Sequence, residues 1–422
     1  VDKKYRYLPL YSVSGLWRIS QEPFMASAKW IDNLVVRASY GLQGNIDKNT
    51  SPFLLGNYRI ENILPGGSED MIDVSGAPNK KLRWEKTHSV NAGFDFAVLN
   101  QAINLSVDYY YRKGVDLIGT QMLPLETGFE MLTVNWASMR NQGVEIALST
   151  RNVHTKNFMW TTNFNFAYNN NKVLKEALRE DALEPGREGY PVGALFALKT
   201  AGLDEEGYPM FQDKDGKAVS AMEFFKLQEW GFGATDLTAR ERRELYTYVG
   251  TADCPYTGGF NNTFTYKAFE LGVNFSFDFG GKVRSQPTYS IVDFDKGRNT
   301  NRDILNRWTP ENTETIFPVL LSQNERLDEY MWYSNQNEIY RNLDIWIRDL
   351  NYVRLQNIRL GYTLPTNFSR TLGMTSATVA IEGRNLLVFG SSYKNYLDPE
   401  TMSNAYATPA PKSVTLSLNL IF

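Results

Sequence analysis

Two stretches concentrate side chains of the kind that recognise sugars. MWYSNQNEIY (331–340) and SSYKNYLDPE (391–400) set tyrosine and tryptophan rings among Asn, Asp and Glu. Rings stack on the apolar faces of pyranoses, while amides and carboxylates hydrogen-bond the hydroxyls. Trp332, Tyr333, Tyr393 and Tyr396 are the candidate substrate-binding residues. Packing of loops against one another, or against a partner protein, is the competing use of the same rings. The acidic pieces LDEEGYP (203–209) and QDKDGK (212–217) raise calcium, which takes alternating oxygen donors. The second piece has only Asp213 and Asp215 as carboxylates, so an ordinary acidic turn is the plainer reading. No other cofactor is expected. His88 and His154 are the only histidines and Cys254 the only cysteine, too few for a zinc site or an internal disulfide framework. No Ser/His/Asp arrangement and no carboxylate pair argues for catalysis, so the chain reads as a non-enzyme. Its 44 Lys and Arg against 47 Asp and Glu form no basic footprint for nucleic acid.

These residues hang on a repeated element. The chain ends KSVTLSLNLIF, where Val414, Leu416, Leu418, Leu420 and Phe422 alternate with Ser413, Thr415, Ser417 and Asn419. A strand sends successive side chains to opposite faces, so one face is apolar and the other polar. The same period recurs at 5–19, 33–44, 84–98, 102–113, 142–150, 158–170, 259–267, 269–280, 348–364 and 375–389. In 102–113, Ile103, Leu105, Val107, Tyr109 and Tyr111 oppose Asn104, Ser106, Asp108 and Arg112. The run 348–364 slips phase near Asn357, as a bulge would make it do. The count is about eleven strands.

The connectors alternate in length. LNQ, RNVHTKN and KAF are short, whereas 45–83, 114–141, 171–258, 281–347 and 390–411 are long. Outer-membrane barrels sort their connections this way, with short periplasmic turns and long extracellular loops. No apolar run approaches the roughly 18 residues of a membrane helix, and a barrel strand needs none. The fold class is therefore all-β, a transmembrane antiparallel β-barrel. The row Val414, Leu416, Leu418, Leu420 and Phe422 is expected to face outer-membrane lipid, with the aromatic end residue in the interfacial belt. The polar residues Asn104, Asp108, Asn163, Asn165, Asn274 and Asp278 are expected to line a water-filled interior. Single-chain bacterial barrels have even strand counts, and an open edge cannot sit in hydrocarbon. An odd count implies a larger barrel of which 1–422 is the C-terminal part.

Several stretches together resemble the SusC/RagA family of TonB-dependent outer-membrane transporters of Bacteroidetes. They are RASYGLQGN (37–45), LRWEKTHSVNAGFDF (82–96), NQGVEIALST (141–150) and GYPVGALFALKTAGLDEEGYP (189–209). PYTGGFNNTFTYKAFELGVNF (255–275), NRWTPENT (306–313), YVRLQNIRLGYTLP (352–365), IEGRNLLVF (381–389) and YLDPE (396–400) follow in family order. The resemblance implies a barrel of about 22 strands with a plugged lumen. It implies a SusD-like surface lipoprotein over the mouth and energy from TonB, ExbB and ExbD. The cargo would be oligosaccharides, or peptides as in RagA-type members. No TonB box, plug domain or first barrel half is recognisable in the chain. A soluble all-β glycan-binding protein and a β-rich glycan hydrolase are the readings from other classes. A soluble protein would bury one strand face in a core and would not sort its loops by length.

Overall fold

The computed structural model describes residues 3–46, 48, 51–64, 67–74, 76–228, 235–285, 297, 302–319, 341–371, 373–390, 398–402 and 407–422. The chain divides into two compact units. The first comprises Val1–Arg179, Gly186–Val192 and Gly258–Lys267, and the second Glu180–Pro185, Gly193–Thr257 and Ala268–Phe422. Among the described residues no helix is long and apolar enough to cross a membrane. The first unit is built on long strands β1 (Tyr11–Arg18), β2 (Ile31–Asn45), β3 (Glu85–Val98), β4 (Ile103–Met122), β5 (Met131–His154), β6 (Phe158–Lys175) and most of β7 (Tyr256–Tyr266). The second carries β8 (Phe269–Arg284), β9 (Ile347–Thr363), β10 (Ser376–Phe389) and β11 (Ser413–Ile421). Within each unit the strands pair antiparallel and follow chain order. All eleven expected strands are present.

Register turns the alternation of each strand into rows that run across the sheet. In the first unit Trp17, Val36, Phe94, Val107, Ile146 and Phe166 sit side by side on successive strands. The next row, on the opposite face, reads Leu16, Arg37, Gly93, Asp108, Glu145 and Ala167. In the second unit Leu271, Leu360, Ile381 and Leu416 form an apolar row beside Gly272, Arg359, Glu382 and Thr415. Leu360 is 46% exposed and Leu416 is 76% exposed, so no second layer among the described residues covers this apolar face. That excludes the sandwich of the soluble reading, where one inner face would be dry.

The expected phase slip is a bulge at Gln356. Asn274 pairs with Asn357, but its neighbour Phe275 pairs with Leu355, so Gln356 is the extra residue. On the C-terminal side of the bulge Ile358, Leu360 and Tyr362 share a face with Leu271 and its neighbours. On the N-terminal side the parity switches. Leu355 and Val353 take the apolar face, opposite Phe275 and Phe277, while Arg354 and Tyr352 join Ser276 and Asp278.

Three connectors differ from the sequence reading. The stretch 114–141 is mostly strand, because β4 runs on to Met122 and β5 starts at Met131. A disturbance after Gly114, with Asp116 at φ 58°, breaks the alternation that marked the earlier part of the strand. Arg83 and Lys86 both bind Asp116, at 2.6 and 3.1 Å, and hold the bulged chain in place. The stretch 171–258 is not a bare loop. It contains paired strands Ala194–Leu198 and Tyr246–Thr251 and a three-stranded sheet of Thr200–Leu203, Pro209–Gln212 and Ala218–Val219. It also contains the short helices α1 (Ala221–Phe224) and α2 (Ala239–Glu244). Ser220 caps α1, and Thr238 with Glu241 forms a capping box on α2. Leu198, Phe211, Val219, Phe224 and Phe225 pack with Leu343 and Trp346 from the connector before β9 into a small core. The connector between β2 and β3 also gains structure, a hairpin of Gly56–Leu64 and Gly67–Val74.

Deletion of Gln356 is expected to force Arg354 and Tyr352 onto the apolar face, where an arginine costs about 2–4 kcal/mol at mid-bilayer. The full-length protein would then lose the heat-modifiable gel mobility of an assembled barrel. Gln356→Ala keeps the residue count and loses only a 2.7 Å bond to Ser276, so it should assemble normally. Equal assembly of the deletion and the substitution would rule the bulge out as the device that sets the face.

Candidate functional site

The polar face of the first unit is organised around Arg37. Arg37 on β2 lies in register with Gly93 on β3, which lies in register with Asp108 on β4. A Cβ on Gly93 would collide with the Asp108 carboxylate. Glycine leaves the gap through which arginine and aspartate meet across an intervening strand. The Arg37 guanidinium donates to Asp108 at 2.7 Å, to Asp95 at 3.2 Å and to the Ser106 hydroxyl at 3.1 Å. Ser106 in turn donates to Asp95 at 2.7 Å. The Arg37 side chain remains 39% exposed, so this network stays wet. Beside it a hollow of about 330 Å³ is lined by Ser14, Ser39 and Asn91 as well as the ion pair. Further along the same face Tyr110 crosses Gly143 and donates to Asn169 at 2.9 Å. Hydroxyls, amides and a neutralised arginine suit an uncharged polar solute.

The second unit has a buried counterpart. The bulge at Gln356 turns Arg354 to the polar face, where it is 1% exposed. It donates to Asp398 and, at 2.8 Å, to Glu400. Tyr352 donates to Asp278 at 2.5 Å and lies 3.3 Å from Glu400. Asp398 also accepts the backbone N–H groups of Glu400 and Ala410. Burial pushes the Asp398 carboxyl up, but the Arg354 hydrogen bond and these N–H donors outweigh it and hold the group below its usual range. The segment 398–402 is thereby pinned to the polar side of β9, with Met402 buried beneath it.

The residues expected from the sequence fare differently. Trp332, Tyr333, Tyr393 and Tyr396 lie outside the described residues. Asp108 and Asp278 belong to the two networks above. Asn104 caps the turn before β4, donating to the Gln101 carbonyl at 2.9 Å. Asn163, Asn165 and Asn274 sit on the polar faces of β6 and β8, Asn274 opposite Asn357. The two acidic loop pieces turn out to be built alike. Asp204 accepts from the N–H of Glu206 and Tyr208, and Asp213 from the N–H of Asp215 and Lys217. Their first aspartates thus hold turns. Among the described residues no group of three or more His, Cys, Asp or Glu is arranged to hold a metal. Val414, Leu416, Leu418, Leu420 and Phe422 all lie on or just past β11 and are exposed. Reading by alternation missed Arg354, Asp398 and Glu400 as a unit. The sequence signals for it are the phase slip near Asn357 and the acids of YLDPE, which no local pattern links.

A second concavity, about 450 Å³, lies in the β6–β7 connector above Val219, Phe224 and Leu237. It is confined to the folded module described above and shares no residue with the two networks.

Arg354→Met should strand two carboxylates and destabilise the protein by about 3–5 kcal/mol, as breaking a buried pair does. Arg37→Met, at a wetter site, should cost about 1 kcal/mol or less. Denaturant unfolding of the full-length protein in detergent would check the ranking, and equal losses would contradict it. The depressed Asp398 group stabilises the folded state above its unfolded pKa of about 3.9, and that contribution fades as pH falls through the lower folded value. The Tm difference between wild type and Asp398→Asn should therefore be constant near neutrality and shrink below about pH 4. A difference independent of pH down to about 2 would mean that Asp398 is not held as a carboxylate.

Comparison with known proteins places this geometry. Residues 9–386 match the family model described as TonB dependent receptor-like, beta-barrel. TonB-dependent receptor P3 of Formosa agariphila is 26% identical over 451 residues, covering 100% of this chain and 42% of that protein. TonB-dependent receptor SusC of Bacteroides thetaiotaomicron is 25% identical over 446 residues, covering 99% of this chain and 40% of SusC. A structure of the RagAB peptide importer in its closed-closed state superposes with a TM-score of 0.76 at 24% identity, over 99% of this chain and 44% of that one. The chain thus spans less than half the length of the curated relatives it matches. It belongs to the TonB-dependent receptor-like β-barrel family, and its eleven long antiparallel strands are part of such a transmembrane barrel.

Proposed function

We propose that this chain supplies part of the wall and outer loops of an outer-membrane importer of oligomeric nutrients, of the SusC/RagA type. The observation that carries the reading is the pair of faces. Apolar rows run uncovered from strand to strand, while the opposite face carries ion pairs such as Arg37 with Asp95 and Asp108, and Arg354 with Asp398. In a bilayer the first face meets acyl chains and the second meets water. Val414, Leu416, Leu418, Leu420 and Phe422 then form the lipid-facing row of β11, and the long connectors face outward from the cell. The plug, the TonB box and the remaining strands belong to the rest of the full-length protein. Energy comes through TonB, ExbB and ExbD, and a SusD-like lipoprotein covers the mouth. The role is transport, in keeping with the TonB-dependent receptor-like family.

Glycan oligosaccharides are the first cargo class. The rings Trp332, Tyr333, Tyr393 and Tyr396 beside Asn, Asp and Glu support it, as does the hydroxyl- and amide-rich hollow next to Arg37. Peptides are the second, favoured by the mixed-charge rim of the concavity in the β6–β7 connector. Cells lacking the full-length gene, complemented with wild type or with Leu418→Arg, separate these possibilities. Wild type should restore uptake of fluorescent oligosaccharides, and Leu418→Arg should fail to assemble. Normal assembly of Leu418→Arg would remove the lipid-facing assignment. Restored uptake of peptides alone would reverse the order of cargo.

A further inference from the structure

The apolar face of the first unit ends in cations where the long connectors begin. Following register from β3 to β6, His88 lies beside Lys113, Lys113 beside Arg140, and Arg140 beside Lys172. Strand parity puts all four on the face of Phe94, Val107, Ile146 and Phe166. Ten residues along each strand toward the short turns, the matching row is Val98, Ile103, Thr150 and Thr162, which is uncharged. Ten strand residues span about 33 Å, which at a tilt of about 40° is the ~25 Å height of the apolar band of a barrel. The two rows therefore stand at the two interfaces, one neutral and one cationic. Tyr109 and Tyr168 share a row below the cations, and Tyr40 and Tyr111 share the row between. Such rings form an interfacial girdle.

Like charges directly opposite one another on neighbouring strands destabilise a sheet. Elsewhere this chain pairs its strand cations, as Arg37 with Asp108, Lys86 with Asp116 and Arg359 with Glu270. Lys113, Arg140 and Lys172 make no side-chain hydrogen bond or ion pair among the described residues. Arg140 Nε is buried and has no hydrogen-bond partner among them. No carboxylate stands in the row, nor in the one below it, Val90, Tyr111, Gln142 and Asn170. His88 is engaged by the Tyr40 hydroxyl, 3.0 Å from its Nδ1. Three adjacent cations call for an anion from outside the chain. The wall continues beneath them as rings and aliphatic side chains, so the anion that fits is one carried on acyl chains. Phosphate accepts both the point charge of lysine and the planar fork of arginine. Three neighbouring strands span only about 10 Å, so one headgroup can reach all three cations. Hydration by water alone is the competing use of the row, and it would distinguish no lipid from another.

We infer that Lys113, Arg140 and Lys172 bind the phosphate of an anionic lipid of the outer leaflet, with its acyl chains lying on the face of Tyr109, Val107 and Ile146. The inference rests on the import reading, which turns the long connectors, and this row with them, away from the cell.

Titration of delipidated full-length protein in a neutral detergent, with lipid A and with lipid A stripped of its phosphates, tests it. Wild type should prefer the phosphorylated form on the order of a hundredfold. Lys113→Gln, Arg140→Gln and Lys172→Gln should each lower that preference about fivefold, and together abolish it. Binding of the stripped lipid and heat-modifiable gel mobility should not change, and the single variants decide the matter if the triple one does not assemble. Lys156→Gln with Lys267→Gln, which removes cations from the short turns, should leave the preference within about twofold. Equal binding of the two lipids by wild type would overturn the row, as would a preference that survives all three substitutions or falls equally in the short-turn variant. Displacement of lipid A by an equal concentration of inorganic phosphate would make the row a site for the free ion and would also overturn the assignment. Insertion and uptake in cells, combined with equal binding of the two lipids, removes the row alone. Failure of the full-length protein to insert into any bilayer removes the import reading.

Discussion

Hydrocarbon offers no partner for a backbone N–H or C=O, so a strand that crosses it must find every partner in its neighbours. The rest of this structure follows from that constraint. Pairing in chain order with short turns at one end is the simplest way to meet it, and each unit adopts it. Pairing then fixes register, and register aligns the alternating side chains into rows. Val36, Phe94, Val107 and Ile146 owe their common face to the ladder and not to any contact with a core. The wall therefore needs no second layer, and none of the described residues covers its apolar side.

The same ladder creates the problem that the polar face solves. Strands place charges side by side at fixed spacing, and pairing matters most where a charge is buried, as Arg354 is. Two devices pair them. Gly93 removes a side chain so that Arg37 can reach Asp108 two strands away. The bulge at Gln356 inserts one residue so that Arg354 and Tyr352 turn inward to meet Asp278, Asp398 and Glu400. Without the extra residue the arginine would share a face with Ile358 and Leu360. A bulge is thus a way of changing which solvent a side chain meets without breaking the sheet.

The strands were legible because their signal is local. A period of two in Ile103, Leu105, Val107 and Tyr109 needs no knowledge of the partner strand. Even the phase slip near Asn357 could be read along one strand. What could not be read is what joins distant positions. Arg354 and Asp398 are 44 residues apart, and neither carries a periodic signal. The extension of β4 past Gly114 was hidden because the bulge at Asp116 spoils the alternation. Alternation does not reveal the module in the β6–β7 connector, because its strands are two to six residues long. Its core gathers Phe211 and Phe224 with Leu343 and Trp346, from connectors on either side of β7 and β8. Composition alone marks the candidate sugar-binding rings, and their positions fall outside the described residues.

The central claim is that two faces of one sheet meet two solvents, and that the bulge swaps them on β9. Spin labels placed singly along β8 and β9 of the full-length protein, with Cys254→Ser and in liposomes, measure it directly. Labels at Leu271, Val273, Phe275, Leu360, Ile358, Leu355 and Val353 should be relaxed by oxygen, which concentrates in acyl chains. Labels at Gly272, Asn274, Ser276, Arg359 and Arg354 should be relaxed by a water-soluble nickel chelate. Alternation that runs through Gln356 without a change of parity, or nickel access at every position, would contradict the account.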